Sequence, residues 1–276
     1  VFDYKPGKLT IKPRDIHFTA PNGTRIYGTA NNTVAIPSPT YTGTLATGDS
    51  FANYTVRALD GGGNAVTERT GVGSYTMQVE NATLASGSRG YASDYNITSA
   101  SGTLTITPRA LTITAGNKSR AYGADNSTAG YVDGTAKVNV GAATATSGLV
   151  NGDTIDDVTE TIDPAALVTT NAGTTGLWTK VDSANFTSGS ANNYTITYAP
   201  GTFSITKRAL TLAAGDKSRI YGTANNTATY VNGTSSFRVK TGSLVNGDAI
   251  SSVTETIDPT ATITTDAGTP HLWTRV

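Results

Sequence analysis

Nearly the same seven residues occur three times in this chain: NGTRIYG at 22–28, NKSRAYG at 117–123 and DKSRIYG at 216–222. The tyrosines Tyr27, Tyr122 and Tyr221 are spaced 95 and then 99 residues apart, and so are the upstream arginines Arg14, Arg109 and Arg208. Two independent markers with the same spacing establish an internal repeat. Other landmarks recur in the same order. LVNGD at 149–153 returns at 244–248, VTETIDP at 158–164 at 253–259, and GLWTK at 176–180 as HLWTR at 271–275. YNITSASGTLTITPRAL at 95–111 returns as YTITYAPGTFSITKRAL at 194–210. A period near 100 residues exceeds the ~20–50 of a solenoid unit. It suits a β-sandwich of roughly 100 residues.

Composition supports that class. Thr, Ser, Gly, Asn and Ala dominate, and Thr and Tyr favour the pleated, half-exposed surface of a strand while Gly, Asn and Asp supply turns. The expected fold is all-β. The 20 Lys and Arg balance the 20 Asp and Glu and form no run, so the basic footprint of a nucleic-acid binder is missing. No apolar stretch nears the ~18 residues of a membrane span, so no membrane insertion is expected. Residues 1–10 carry neither the charged head nor the apolar core of an export signal. The chain has no cysteine, hence no disulfide and no thiolate chemistry.

The module boundaries are legible in a change of face. Leu104 and Ile106 sit at even positions; after Pro108 and Arg109, Leu111 and Ile113 sit at odd ones. Side chains alternate along a strand, so a one-residue shift turns the buried face over. The same switch occurs from Leu9 and Ile11 to Ile16 and Phe18, and from Phe203 and Ile205 to Leu210 and Leu212. Each switch is read as a strand leaving one core and entering the next. The expected modules are 13–107, 108–206 and an incomplete 207–276, with 1–12 as the terminal hairpin of a preceding module. Linkers of two or three residues without Gly or Ser cannot behave as coil, so the modules are expected end to end as a stiff rod of antiparallel ladders.

GTLTITPRALTITAGNKSRAYG, followed by NGDTI, AGT and NYTITYAPGTFSIT, resembles the MBG (YGX-type) repeat of very large secreted or surface-anchored bacterial proteins. Many of these are similar to filamentous haemagglutinin and use two-partner secretion. The resemblance spans nearly the whole chain, the first copy departing from it between Gly43 and Thr70. It implies immunoglobulin-like sandwiches in an adhesin or biofilm-matrix protein at the cell surface, and no catalytic residues.

Several kinds of side chain compete for a functional role. In the heptads, Arg25, Tyr27 and Gly28, Arg120, Tyr122 and Gly123, and Arg219, Tyr221 and Gly222 could line a ligand pocket. A structural Tyr-Gly corner explains three copies better, with each glycine in a backbone conformation that other residues avoid. Trp178 and Trp273, with Tyr75 in the first copy, could stack on a sugar ring; a core anchor between sheets is the preferred reading. The acids Asp153, Asp156, Asp157 and Glu160 suggest calcium, which takes six to eight oxygens. The third copy keeps only Asp248 and Glu255, so no metal is expected. Lys118 or Lys217 with Glu160 or Glu255 could form an isopeptide staple, but the first copy has Thr24 at the lysine position. Asp163-Pro164 and Asp258-Pro259 read as turns. His17 and His271 lie in different modules, and no hydrolase or zinc motif appears, so neither enzymatic activity nor a cofactor is expected. Sequons begin at Asn22, Asn31, Asn53, Asn81, Asn96, Asn117, Asn126, Asn185, Asn193, Asn225 and Asn232.

The resulting expectation is a structural stalk whose partners are neighbouring modules of the same polypeptide. The alternative is a set of glycan- or host-protein-binding modules acting through end loops, with 135–147 as the candidate loop. Residues 1–12 match 195–206, while nothing in 207–276 corresponds to 182–206. A window on a longer rod explains this. Strand addition into a neighbour's third module, building a head-to-tail filament, is the rival.

Overall fold

The computed structural model describes residues 2–33, 36–85, 87–132, 137–231 and 235–276. The chain is all-β; the helical elements among these residues are single 3-10 turns such as Asn31–Thr33, Asn126–Thr128 and Asn225–Thr227. Val1, Asn232 and residues 135 and 136 of the candidate loop lie outside the described residues. Among the described residues no helix is long and apolar enough to cross a membrane.

Contacts gather into two compact units. The first comprises residues 1–115, 138–160 and 181–199; the second comprises 116–137, 161–180 and 200–276. In the first, Arg14–Thr19 lies between Thr40–Thr42 and Tyr95–Ala100, and Arg109–Ala115 lies between Val138–Asn139 and Tyr194–Ala199. A four-stranded sheet orders Gly23–Ile26, Gly102–Thr107, Gly73–Leu84 and Phe51–Leu59. In the second unit, Gly130–Tyr131, Lys118–Ala121 and Gly201–Thr206 pair in that order, and Trp178 and Thr179 follow against Thr202 and Gly201. Beyond residue 206 the ladders are two-stranded: Thr211–Ala214 with Phe237–Thr241, Lys217–Ser218 with Thr229–Tyr230, and Thr256–Ile257 with Thr274–Arg275.

The ladders are not all antiparallel. Arg14–Thr19 runs parallel to Tyr95–Ala100, and Arg109–Ala115 parallel to Tyr194–Ala199, each over six residue pairs. The heptad strands Gly23–Ile26 and Lys118–Ala121 run parallel to Gly102–Thr107 and Gly201–Thr206. Parallel neighbours need a long crossover. Here the crossover is the body of the repeat, so its first strands lie beside its last ones.

The change of face is visible in burial. Leu104, Ile106, Leu111, Ile113, Ile16, Phe18, Phe203 and Ile205 are all buried, while Leu9 and Ile11 are 88% exposed. The expected separation of cores at each switch does not hold at 107/108. Leu104 and Ile106 share one apolar cluster with Leu111, Ile113, Val158 and Val181. Tyr27, Val150 and Tyr194 belong to the same cluster and carry it across the boundary. Each such buried aliphatic side chain contributes about 1.5–3 kcal/mol, so this boundary is a packed region rather than a linker. The second unit has its own smaller cluster around Ala166, Leu177, Phe203 and Ile205.

Candidate functional site: a repeated tyrosine joint

Each heptad arginine braces a corner inside its own repeat. Arg120 is buried; its Nε donates to Asn126 Oδ1 at 2.6 Å and its NH2 to the carbonyls of Ala166 and Leu167 at 3.2 and 2.7 Å. Arg219 repeats the pattern with Asn225 at 2.8 Å and the Thr262 carbonyl. Arg25, also buried, donates to the Thr67 carbonyl, while Asn31 Nδ2 donates to Val66 O at 2.7 Å. Desolvation lowers the pKa of Arg25 and of Arg120. Arg120 thus binds the heptad strand, the following 3-10 turn and a distant loop, its donors pointing into protein, whereas Arg219, with the equivalent partners, also lines a cleft of about 830 Å³ beside Tyr221.

The tyrosines of the first two corners, Tyr27 and Tyr122, reach into the next repeat. Tyr27 is 3% exposed and its hydroxyl donates to Asp153 Oδ2 at 3.0 Å. Tyr194 donates to the same oxygen at 2.7 Å and accepts from the Val150 amide at 3.2 Å. The two rings meet edge to face with centroids 5.6 Å apart, and Phe186 stacks on Tyr194 at 5.5 Å. Burial, then the Asp153 carboxylate, raises the pKa of Tyr194. Burial is also the largest cause of the raised pKa of Tyr27.

Asp153 is delivered by a tight turn. Asn151 and Gly152 both have positive φ, 59° and 79°, and the Asp153 amide donates to Val150 O at 2.9 Å. Asn-Gly is the pair that suits a turn with two left-handed residues. Around it, Asn151 Nδ2 donates to Glu68 O at 3.0 Å, and Arg69 NH1 to Asn151 O at 2.8 Å. Arg109 closes the floor. It is 2% exposed, and its guanidinium donates to Tyr27 O and Gly148 O at 3.1 Å, Ser147 O at 3.2 Å and Thr144 O. A buried charge is tolerated when its donors are satisfied; here backbone carbonyls serve instead of a counter-ion. Gly28 is required twice over: φ is +79°, and a Cβ would lie 2.4 Å from Val150 Cγ2.

The same joint recurs in the second unit. Tyr122 donates to Asp248 Oδ1 at 3.3 Å, across the same separation of 126 residues as Tyr27 and Asp153. Arg208 NH1 approaches Tyr122 O at 3.5 Å, and Asn246 Nδ2 donates to Val168 O at 2.9 Å. A Cβ on Gly123, at φ +72°, would lie 2.2 Å from Val245 Cγ2. The third corner differs: Tyr221 is 58% exposed, and nothing lies within 4 Å of a Cβ on Gly222.

The other candidates fall elsewhere. Trp178, the expected core anchor, is half-buried, and Trp273 is 40% exposed. Alternation gives the inner face to Leu177, Thr179 and Val181, all buried, with Thr179 Oγ1 donating to Gly116 O at 2.7 Å. Tyr75 is half-buried and donates to Gly71 O at 2.8 Å. Among the described residues no group of three His, Asp or Glu could hold a metal; Asp153 instead serves the two tyrosines. Lys217 pairs with Glu255 at 2.7 Å, and Tyr230 also donates to Glu255. That Lys217 hydrogen bond is the largest cause of the lowered pKa of Glu255. Both Asp-Pro pairs are turns, with Asp163 Oδ1 accepting from Ala165 N and Asp258 Oδ1 from Thr260 N at 2.9 Å. Several sequon asparagines are structural braces: Asn22 and Asn117 accept from Thr103 N and Thr202 N at 2.8 Å, and Asn193 accepts from Val72 N at 3.0 Å.

Sequence reasoning singled out the Tyr and Gly of this joint, weighed Asp153 only as a calcium ligand and Arg109 only as a repeat marker, and gave Val150, Asn151 and Tyr194 no role. The signal was available, since LVNGD begins 122 residues after Tyr27 and again 122 residues after Tyr122. Residues 111–204 match the family model of the MBG domain (YGX type). No curated protein and no solved structure matches the chain.

Proposed function

We propose that this chain, whose residues 111–204 are an MBG domain of the YGX type, is a load-bearing stalk segment of a secreted or surface-anchored bacterial adhesin or biofilm-matrix protein. Its modules, 13–107, 108–206 and 207–276, are immunoglobulin-like β-sandwiches set end to end as a rod, and the work of the segment is to hold a binding tip away from the cell. The observation that carries this reading is the joint built twice from the same residues, Tyr27 with Asp153 and Tyr122 with Asp248. A binding site has no need to be consumed by the next module; a stiff rod does. The parallel pairing of first and last strands supports the same reading. A pull on the two ends of a module loads such pairs along their length, so the ladder bonds resist together. No catalytic or cofactor role is proposed.

Single-molecule stretching tests this. The expected trace is a series of force peaks with contour increments of roughly 300–350 Å for each ~95-residue module. Extension without resolvable peaks, together with glycan-array binding lost on Trp178→Ala, would replace the stalk by a binding module.

A further inference from the structure

Four positions change together between the first repeat and the other two. Phe18, Tyr41, Phe51 and Tyr54 of the first repeat correspond to Ile113, Val140, Ile155 and Val158 of the second, and to Leu212, Val239, Ile250 and Val253 of the third. Strand register supports the match. Tyr41 lies opposite Phe18 and Val239 opposite Leu212, while Asn139 opposite Thr114 brings Val140 against Ile113. The other two positions fall two and five residues after Asp49, Asp153 and Asp248. Aliphatic side chains fill these places twice; in the first repeat all four are aromatic.

The four rings form one cluster. Phe18 is buried, and its ring centroid lies 5.4 Å from that of Tyr41, 5.1 Å from Phe51 and 6.0 Å from Tyr54. Tyr41 meets Phe51 edge to face at 5.3 Å. Tyr41 belongs to the edge strand Thr40–Thr42 of one sheet, and Phe51 and Tyr54 to the edge strand Phe51–Leu59 of the other, so the rings fill the open side between the two sheets. Tyr41 remains 46% exposed, Phe51 and Tyr54 are half-buried, and neither tyrosine hydroxyl has a hydrogen-bond partner among the described residues. The opening belongs to the fold, since Val140 and Ile155, in the middle of the chain, are half-buried as well.

Core filling alone does not account for the exchange, because charges leave with the aliphatics. Asp156 and Asp157 separate Ile155 from Val158, and Arg238 and Lys240 flank Val239; the first repeat has Ala52 and Asn53, and Thr40 and Thr42, at those places. No charged residue occurs from Thr29 to Gly48.

We infer that the Tyr41–Phe51–Tyr54 face binds an uncharged glycan. A pyranose presents C–H groups on its face and hydroxyls around its edge. The C–H groups carry partial positive charge and are drawn to the negative face of an aromatic ring. The hydroxyls need neutral donors and acceptors, which Thr40, Thr42 and Asn53 on the two edge strands and the tyrosine hydroxyls supply. Rings held in place by Phe18 are ordered in advance, so little entropy is lost on binding. A protein partner needs more surface. Three rings of about 150–250 Å² each, already half covered, fall short of the roughly 800 Å² per partner of a standard interface. The first repeat thereby adds a contact for sugar to the stalk role proposed above.

Isothermal titration calorimetry of the 276-residue chain tests this, with maltohexaose, mannohexaose, cellohexaose and N-acetylchitohexaose as neutral probes and a hyaluronan hexasaccharide as the acidic one. Tyr41→Val installs the residue that the second and third repeats carry, so the fold is kept, and urea unfolding checks it. At least one neutral probe should bind. Tyr41→Val should weaken that binding at least about tenfold and Tyr41→Phe no more than about threefold, as a ring contact requires. Silence from every neutral probe at ~5 mM, where a millimolar Kd already registers, overturns the inference. So does binding confined to the acidic probe, or binding that Trp178→Ala abolishes and Tyr41→Val leaves intact. The stretching trace of Tyr41→Val should match that of the parent chain, so the stalk and the sugar contact fail separately.

Discussion

The joint around Asp153 and the joint around Asp248 share their letters and differ in their burial. In the first, Asp153, Tyr27 and Arg109 are all buried. In the second, Asp248 and Arg208 are exposed and Tyr122 is half-buried. The hydrogen bond lengthens from 3.0 to 3.3 Å, and the arginine-to-carbonyl contact from 3.1 to 3.5 Å. The difference is an aromatic roof. Phe186 stacks on Tyr194 over the first joint with centroids 5.5 Å apart, and no such ring pair meets at the second among the described residues. The motif thus chooses which groups meet, while the aromatic roof decides how strongly they hold, because a hydrogen bond shielded from water is electrostatically stronger.

Truncating the tyrosine should give the largest contrast. Tyr27→Ala should cost about 3–5 kcal/mol, as for a buried aromatic, and Tyr122→Ala no more than about 2 kcal/mol; urea unfolding of both variants measures it. Equal losses would mean that the roof adds nothing.

Arg109→Met takes a donor from four carbonyls, of which those of Tyr27 and Gly148 are buried, and should cost about 3 kcal/mol, whereas Arg208→Met at an exposed site should stay within about 0.5 kcal/mol. Thermal unfolding of the pair would reveal it.

The glycines sharpen the comparison from a different side. Gly28→Ala and Gly123→Ala meet a valine and a left-handed backbone, at about 2–4 kcal/mol together. Gly222→Ala meets only the backbone strain, about 1–2 kcal/mol. Should Gly222→Ala prove as damaging as Gly28→Ala, the third corner would be under a constraint beyond backbone strain.

Alkaline titration should give the smallest effect. Tyr27 and Tyr194 hold their protons more tightly in the folded chain, since burial raises both. Their stabilisation is complete below the ordinary tyrosine value near 10 and fades as pH rises through the raised folded values. Unfolding measured from about pH 8 to 12 should show this decline, and Tyr27→Phe should shallow it. A slope that Tyr27→Phe leaves unchanged would mean that Tyr27 contributes nothing to it.

Much of this was open to inspection in the linear chain. The all-β class follows from composition, and the buried positions Leu104, Ile106, Leu111 and Ile113 follow from a period of two and its shift at Pro108. Trp178 misled because aromatic size suggests a core, while burial on a strand goes by parity; Leu177 and Thr179 share the inner parity with Val181. The parallel ladders were missed for a related reason. Periodicity reports which face of a strand is buried and is silent on which strand lies beside it.

The repeats by themselves determined that Tyr27 and Tyr122, Gly28 and Gly123, and the Asn-Gly turns before Asp153 and Asp248 do the same work, because equal spacing in a common fold puts equal letters at equal places. Only the tertiary structure decided that the work is done across a repeat boundary. Tyr27 and Asp153 are 126 residues apart, and no local propensity links positions so distant. They meet because residues 108–111 carry the chain from one sheet straight into the next with no slack, which sets the LVNGD turn against the preceding corner. Burial was decided there too: the same Tyr–Asp pair is dry or wet according to whether Phe186 and Tyr194 cover it, and water competes for the hydrogen bond wherever they do not.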